Sequence, residues 1–446
     1  MKENIRFWPL VWMLGLAGQL CWFVENQWFN TFVYAKIAKD SSIVTWMVVL
    51  SAVVTTFSTF LFGTLSDRIG SRRRFISYGY IIWGILTIAF GFTEFVGTRL
   101  LVLAAFLVVF TDCVMSFFGS MANDSGFHSW INDNTSDRNR GQLGAALATQ
   151  PVIGTILGTV LGGMLIGSDD NYMRLFWAMG LFVIAAGFVS LVFLRDSPTL
   201  TPHRTGTFRR QFASVLNFRV FSGRAELAMA CLAAGLFFVP FNLYFVHMGN
   251  WVIYRMGFTA DMMGLIQGGA LIVAMPLAIP ATFLMNRQKT PTVAFSGLVL
   301  NMAGVLTAGL FIRPGVVNTG VVLAAANIPL LLAVFLIGAG YILIVQSMTM
   351  WVKQLYPEES RGQFEGIRIV SFVMLPMIVG TVIGNAVVKG GAGTVVNDLG
   401  MIENIPTEAI FLWAAPLLLP VFVPMFLAAR RYHARINAAG HNDGRA

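Results

Sequence analysis

A dozen apolar runs, each near the roughly 20 residues that span a bilayer, recur along this chain and leave it few ways to fold. Hydrocarbon offers no partner to a bare backbone N–H or C=O, so only helices or a closed barrel can cross it. Barrel strands alternate polar and apolar residues. These runs are continuous, as from Phe7 to about Tyr34, and continuity selects helices. Charged residues make up 11% of the 446 and hydrophobic ones 56%. A soluble domain carries roughly 25% charged residues, so lipid rather than water must cover much of this surface.

The predicted helices cover residues 7–34, 44–66, 75–94, 100–128, 143–167 and 173–194, then 225–253, 260–285, 291–312, 325–350, 364–388 and 407–429. The most polar stretch, from Arg195 to Arg224, lies between the sixth and seventh. The expected organisation is therefore an N-terminal six-helix bundle (1–194), a linker (195–224), a C-terminal six-helix bundle (225–430) and a tail (431–446). The run that begins at Phe7 is too long for the apolar core of a signal peptide and is read as a retained first helix. Cys21, Cys113 and Cys231 all fall inside predicted helices and read as packing residues.

A net charge of +9 would suit a nucleic-acid partner, but its distribution does not. With these helices, 23 of the 30 Lys and Arg lie on the side of the N-terminus. Positive charge marks the cytoplasmic side. The expectation is a multi-pass inner-membrane protein with both termini cytoplasmic, monomeric, with a small-molecule substrate and no nucleic-acid partner.

The two halves overlay. Trp130, Arg140, Gly141 and Gln142 recur as Trp351, Arg361, Gly362 and Gln363. Asn30, Val33 and Tyr34 recur as Asn250, Ile253 and Tyr254, and Gly158-Thr-Val-Leu-Gly162 as Gly380-Thr-Val-Ile-Gly384. Leu65-Ser-Asp-Arg68 recurs as Leu284-Met-Asn-Arg287. Four matches in order, at offsets of 221, 220, 222 and 219, indicate a duplicated unit. Such a duplication predicts an all-α membrane protein of 12 transmembrane helices in two pseudo-symmetric six-helix bundles, with a pathway between the halves.

Gly63-Thr-Leu-Ser-Asp-Arg-Ile-Gly-Ser-Arg-Arg-Arg74 lies between predicted helices 2 and 3. It resembles the signature loop of the major facilitator superfamily, G-x-L-[SA]-D-R-x-G-x-[RK]-[RK]. The resemblance implies a gating role for Gly63, Asp67, Arg68, Gly70 and Arg72, with Asp67 latching onto the cytoplasmic end of helix 11. Arg140 and Arg361, paired by the repeat, join the gating set. Asn286 stands where the second copy would carry the aspartate, so that latch is expected to be weaker. The end of helix 4, from Asn123 to Asp137, looks like that of the glycoside–pentoside–hexuronide cation symporters, the branch of the melibiose permeases. That likeness implies cation and sugar binding at Asp124. Helix 2 carries Thr55, Thr56, Ser58 and Thr59 but no carboxylate above Asp67, which leaves a proton as the simpler coupling ion and sodium as the other.

Three carboxylates fall well inside predicted helices: Glu25, Asp112 and Asp124. Each costs about 2.5–3.5 kcal/mol at a helix centre on insertion scales. All three are coupling candidates. Glu25 also stands among Trp22, Asn26 and Asn30, a set suited to the hydroxyls and apolar face of a sugar. The helical wheel puts Asn123, eleven residues after Asp112, on the same face, and Asp124 with His128 on another. Asn242 and Tyr244 on helix 7, the mate of helix 1, and Gln346 on helix 10 complete the expected substrate set.

Helix 5 carries Gln150-Pro151 rather than the Gly-Pro pair of drug/proton antiporters, and its Gly154, Gly158 and Gly162 read as a close-packing face. No HExxH, GxSxG or metal-spaced His/Cys set occurs, so no enzyme and no cofactor is expected. The leading expectation is symport of a sugar or glycoside with a proton or cation. The alternative is an exporter of amphipathic drugs or organic ions, for which 22 Met and 38 Phe supply an adaptable pocket.

Overall fold

The computed structural model describes residues 7–96, 100–136, 139–202, 207–209, 212, 223–355, 368–396 and 402–443. Twelve helices among them are long and apolar enough to cross a membrane. They are α1 (Phe7–Ile37), α2 (Ser41–Ile69), α3 (Arg73–Val96), α4 (Leu101–Asp133), α5 (Gln142–Ile166) and α6 (Tyr172–Phe193). The second six are α7 (Ala225–Arg255), α8 (Ala260–Asn286), α9 (Thr290–Phe311), α10 (Ala325–Gln354), α11 (Val370–Gly390) and α12 (Ala409–Ala438). Each coincides with an expected helix. The expected start of helix 11 at 364 lies outside the described residues. The basic stretch after Arg430, expected as a separate tail, instead continues α12. Arginines in the last turns of a helix are stabilised by its carbonyl end.

Between α11 and α12 lies a small antiparallel ladder of β1 (Thr394–Val396) and β2 (Ile402–Asn404), with Val395 opposite Glu403. Packing sorts the chain into two compact units. Unit 1 holds Met1–Ser214 with Phe258–Gly268 and Thr394–Ile405; unit 2 holds Val215–Gly257, Gly269–Gly393 and Pro406–Ala446. The first unit thus includes two stretches that the sequence places in the second half.

Within unit 1, α1 lies against α5, α2 against α4 and α3 against α6. Within unit 2, α7 lies against α11, and α9 against α10 and α12. The α1–α5 and α7–α11 pairs coincide under the repeat. Glycines bring backbones together at these crossings: a Cβ on Gly84 of α3 would stand 2.5 Å from the carbonyl oxygen of Gly180 on α6. The three glycines of α5 do pack, Gly154 on Gln19, Gly158 on Phe23 and Gly162 on Trp28. The indole of Trp28 donates to the carbonyl of Gly158 at 2.9 Å. By contrast, Val102 and Phe106 on α4 are 86% and 60% exposed, as lipid-facing side chains are.

The helix ends are marked by local chemistry. Asp40 caps α2 by accepting from the N–H of Ser42 at 2.8 Å. Gly70 closes α2 in the left-handed conformation (φ 71°), which glycine adopts without strain. A π-helical turn, Met121–Phe127, interrupts α4 where its polar residues begin.

Candidate functional site

Two carboxylates lie buried inside unit 1. Glu25 of α1 and Asp112 of α4 are 6% and 1% exposed. The Ser116 hydroxyl, one turn past Asp112, donates to Glu25 Oε1 at 2.7 Å. Glu25 Oε2 and Asp112 Oδ1 have no hydrogen-bond partner. Asp112 is near enough for its charge to act on Glu25, and Ser51 of α2 lies against it. One more turn along α4, Ser120 donates to Asp124 Oδ2 at 2.9 Å. Residues 112, 116, 120 and 124 therefore form a ladder at four-residue steps.

A π-helical turn begins directly after Ser120. The π-helical turn bonds i to i+5 and rotates less per residue than an α-helix. Asn123 donates to the Tyr80 hydroxyl at 2.8 Å, and Tyr80 donates to the carbonyl of Leu14 at 2.7 Å. Gly18 makes room for the Asn123 amide. Asn123, expected to touch substrate, ties α1, α3 and α4 together in a closed place.

The rest of the expected α1 set divides likewise. Asn26 donates to the carbonyl of Trp22, and Asn30 to that of Asn26, both at 2.7 Å. Trp22 and Asn26 are half-buried and remain reachable, whereas Asn30 is enclosed. The Trp22 ring stands 5.0 Å from that of Trp83, and neither indole N–H has a partner.

In unit 2 each expected residue has its own hydrogen-bond partner. Asn242 donates to the carbonyl of Phe238 at 2.7 Å. Tyr244 is fully buried and accepts from Asn301 of α9 at 3.1 Å. Gln346 donates to the Thr282 hydroxyl on α8 at 2.6 Å. His247, at the repeat position of Gln27, is fully buried with both ring nitrogens unpartnered.

The signature loop folds around Arg72. Its guanidinium meets Asp133 at 2.8 Å, Asp67 at 2.5 Å and the Ser66 hydroxyl at 2.5 Å. Burial opposes its charge, but the carboxylates of Asp133 and Asp67 outweigh this and hold its pKa above the ordinary value. Asp196, just past α6, accepts from the backbone N–H of Arg72 at 2.7 Å, from that of Arg73 at 2.8 Å and from the Ser71 hydroxyl at 2.8 Å. The first turn of α3 is thus capped from another helix's end. Asp67 is committed to Arg72 within the loop; the start of helix 11, its expected partner, lies outside the described residues, as do Arg361 and the side chain of Arg140. Gly70 is required by its backbone and by Pro202, 2.9 Å from where a Cβ would stand. Gly63 has room for a side chain, with only Ser125 near, and Arg68 makes its own contacts.

Sequence reasoning missed Ser51, Ser116 and Ser120 beside the carboxylates, and Asp133 and Asp196 around Arg72. The four-residue spacing of Asp112, Ser116 and Ser120 was a legible signal. The partners of Arg72 are distant in the chain and left none. An open groove of about 380 Å³, lined by Trp8, Trp12, Gln142, Ala145, Ala146 and Thr149, lies at the other end of α1. It holds no titratable group. Among the described residues no group of His, Cys, Asp or Glu is arranged to hold a metal ion.

Solved structures share this architecture. A mutant of the nucleoside transporter NupG matches with a TM-score of 0.68 at 12% identity, covering 94% of this chain and 99% of its own. A bacterial homolog of the human lysosomal transporter Spinster, inward-facing and unoccupied, matches with a TM-score of 0.66 at 12% identity, covering 96% and 97%. An auto-inhibited POT family peptide transporter matches with a TM-score of 0.64 at 13% identity, covering 96% and 97%. Identities this low speak for the fold alone. No curated protein matches the sequence. The sequence profile of the Major Facilitator Superfamily matches residues 11–381. With twelve spanning helices, the signature loop closed on Arg72 and a profile match over most of its length, the chain belongs to the major facilitator superfamily and is a multi-pass membrane transporter rather than an enzyme.

Proposed function

We propose that the chain is a secondary active carrier that moves a small polar organic solute, a sugar or glycoside, in symport with a proton by alternating access. Glu25 and Asp112 carry the proton. One observation carries this reading: two neighbouring carboxylates are buried in one bundle, each with an oxygen lacking any partner. Two ionised carboxylates in so dry a place repel each other and lack solvation, and a shared proton relieves both costs. Deprotonation then needs water to reach the pair, which ties proton release to opening of the bundle. Beside the pair, Trp22 offers an apolar face and Asn26 an amide carbonyl to a hydroxylated ring. The carriers of nucleosides and peptides with this fold support a small polar solute.

The test is uptake into proteoliposomes under an imposed proton gradient, with a panel of radiolabelled sugars and glycosides and a pH dye to follow co-entry of protons. Accumulation should need the gradient and should vanish in Glu25→Gln and Asp112→Asn. Gradient-independent behaviour of every solute, or full accumulation by the double variant, refutes the symport reading.

A second reading, export of an amphipathic organic cation, draws on a different observation. Among the described residues no Lys or Arg pairs with Glu25 or Asp112, and the Trp22–Trp83 faces beside them would attract a cation. Gradient-driven extrusion of a fluorescent organic cation, blocked by the same two substitutions, would favour it over sugar uptake.

A further inference from the structure

A proton shared by Glu25 and Asp112 needs a way in and out of a closed place. Glu25, Asp112, Ser116 and Ser120 are each 6% exposed or less, whereas Asp124 is half-buried. Asp124 is thus the member of this set that water reaches most easily. It lies toward the end of α4 where Asp133 meets Arg72 of the signature loop. Its charge also reaches Glu25, as that of Asp112 does.

Two hydroxyls stand between the carboxylates. Ser116 donates to Glu25 Oε1 at 2.7 Å, and Ser120 donates to Asp124 Oδ2 at 2.9 Å. Each O–H is spent on a carboxylate, and each serine oxygen keeps lone pairs for a further donor. The serines are one helical turn apart, so their Cβ atoms stand about 5–6 Å from each other. A direct O–H···O bond needs about 2.5–3.0 Å between the oxygens. One water molecule spans the gap and can donate to both. The Trp83 ring presses on the intervening Gly119, where a Cβ would stand 2.8 Å from it, and closes the neighbouring face of α4. The other titratable groups near this line are Cys21 on α1, Cys113 on α4 and Tyr80 on α3. Thiols and a phenol carry no positive charge, so none of them holds the pair ionised.

We propose that Ser116, one water, Ser120 and Asp124 form the line along which a proton leaves and enters the Glu25–Asp112 pair. Ser120 already points the outward way, so only Ser116 and the water must turn. Glu25 then gives its proton to Ser116 Oγ as Ser116 gives its own to the water. The water passes one to Ser120 Oγ as Ser120 gives its own to Asp124. Each link ends with the protons it began with, Glu25 is left a carboxylate and Asp124 a carboxylic acid. Asp124 releases the proton to outside water. The water on which deprotonation depends thus enters from the Asp124 side. The line rests on the shared-proton reading of Glu25 and Asp112, but its test needs no substrate.

The test is time-resolved infrared spectroscopy of the full-length protein in lipid nanodiscs, moved from light into heavy water at neutral pH. The C=O stretch of a protonated carboxyl shifts down when its proton is replaced by deuterium. The band of the pair is the one lost in the Glu25→Gln, Asp112→Asn double variant. A positioned proton-transfer group contributes on the order of a hundredfold in rate, and a water in the vacated place recovers part of that. Ser120→Ala should therefore slow exchange of this band about tenfold. Asp124→Asn should slow it likewise. Ser125→Ala, whose buried hydroxyl faces Gly63 of α2, should leave it unchanged. The sign separates a relay from a structural role, since a loosened helix admits water and exchanges faster. Wild-type or faster exchange in Ser120→Ala or Asp124→Asn, or equal slowing in Ser125→Ala, overturns the line and spares the pair. A wild-type spectrum without the band overturns the shared-proton reading, and the line with it.

Discussion

Replacing Asp196 by alanine removes the cap of α3 without touching the signature loop's own sequence. The side chain accepts three hydrogen bonds, from two backbone N–H groups and one hydroxyl, each between 2.7 and 2.8 Å. It does so at the first turn of α3, where a negative charge meets the positive end of the helix. Loss of a capping side chain typically costs about 1 kcal/mol and at most about 2. The hydroxyl contact adds roughly another 0.5–1 kcal/mol. Asp196 is half-buried, so water repairs part of the loss, and about 2 kcal/mol remains for Asp196→Ala. At roughly 2–4 °C per kcal/mol for a unit of this size, the melting temperature should fall by about 4–8 °C. Asp196→Asn keeps one acceptor oxygen and loses the charge, so its fall should be about half as large. The assay is thermal unfolding of detergent-solubilised protein followed by size-exclusion chromatography with fluorescence detection. An Asp196→Ala protein that melts with wild type refutes the cap, and an Asp196→Asn protein as unstable as Asp196→Ala refutes the hydrogen-bond account of it.

Arg72→Met should lower stability by about 3 kcal/mol, the low end for breaking a buried pair because Asp67 and Asp133 keep some contact with water. Arg72→Lys should cost less but still be measurable in the same melt, since an ammonium cannot serve Asp67, Asp133 and Ser66 from one planar fork. Gly162→Ala drives a methyl group into the Trp28 indole and should cost about 1–3 kcal/mol; a neutral result would show that α5 and α1 are not held this closely. Asp170, in the turn before α6, has its pKa raised by burial first, and then by Asp169 and Asp261, against the pull of Lys36. A carboxyl raised in the folded state destabilises above that folded pKa, and the penalty is gone below the unfolded value near 4. Asp170→Asn should therefore melt higher than wild type at pH 7.5, and the two should converge by about pH 4; a gap that widens as pH falls would reverse the sign.

The fold was legible because lipid permits so few answers. Continuous apolar runs forced helices, and the overlay of Asn30 on Asn250 and Gly158 on Gly380 anticipated that α1–α5 and α7–α11 would be equivalent pairs. The glycines of α5 announced close packing by their spacing alone. The identities of the buried carboxylates were legible for the same reason, since a charge in hydrocarbon is conspicuous. Their partners were not. No residue in Met121–Phe127 advertises a π-helical turn, and the four-residue step from Ser120 to Asp124 runs into it. Asp196 looks like any linker residue until the end of α6 meets the start of α3.

The two copies of the repeat are not chemically identical. The repeat equates Gln27 with His247, at the offset that pairs Asn30 with Asn250. It equates Gln267 with Val48, at the offset that pairs Leu284 with Leu65. Gln27 has an amide to bond with, whereas both ring nitrogens of His247 stay unpartnered. The duplication therefore preserves the backbone plan of the two copies without preserving the buried polar chemistry at each copied position.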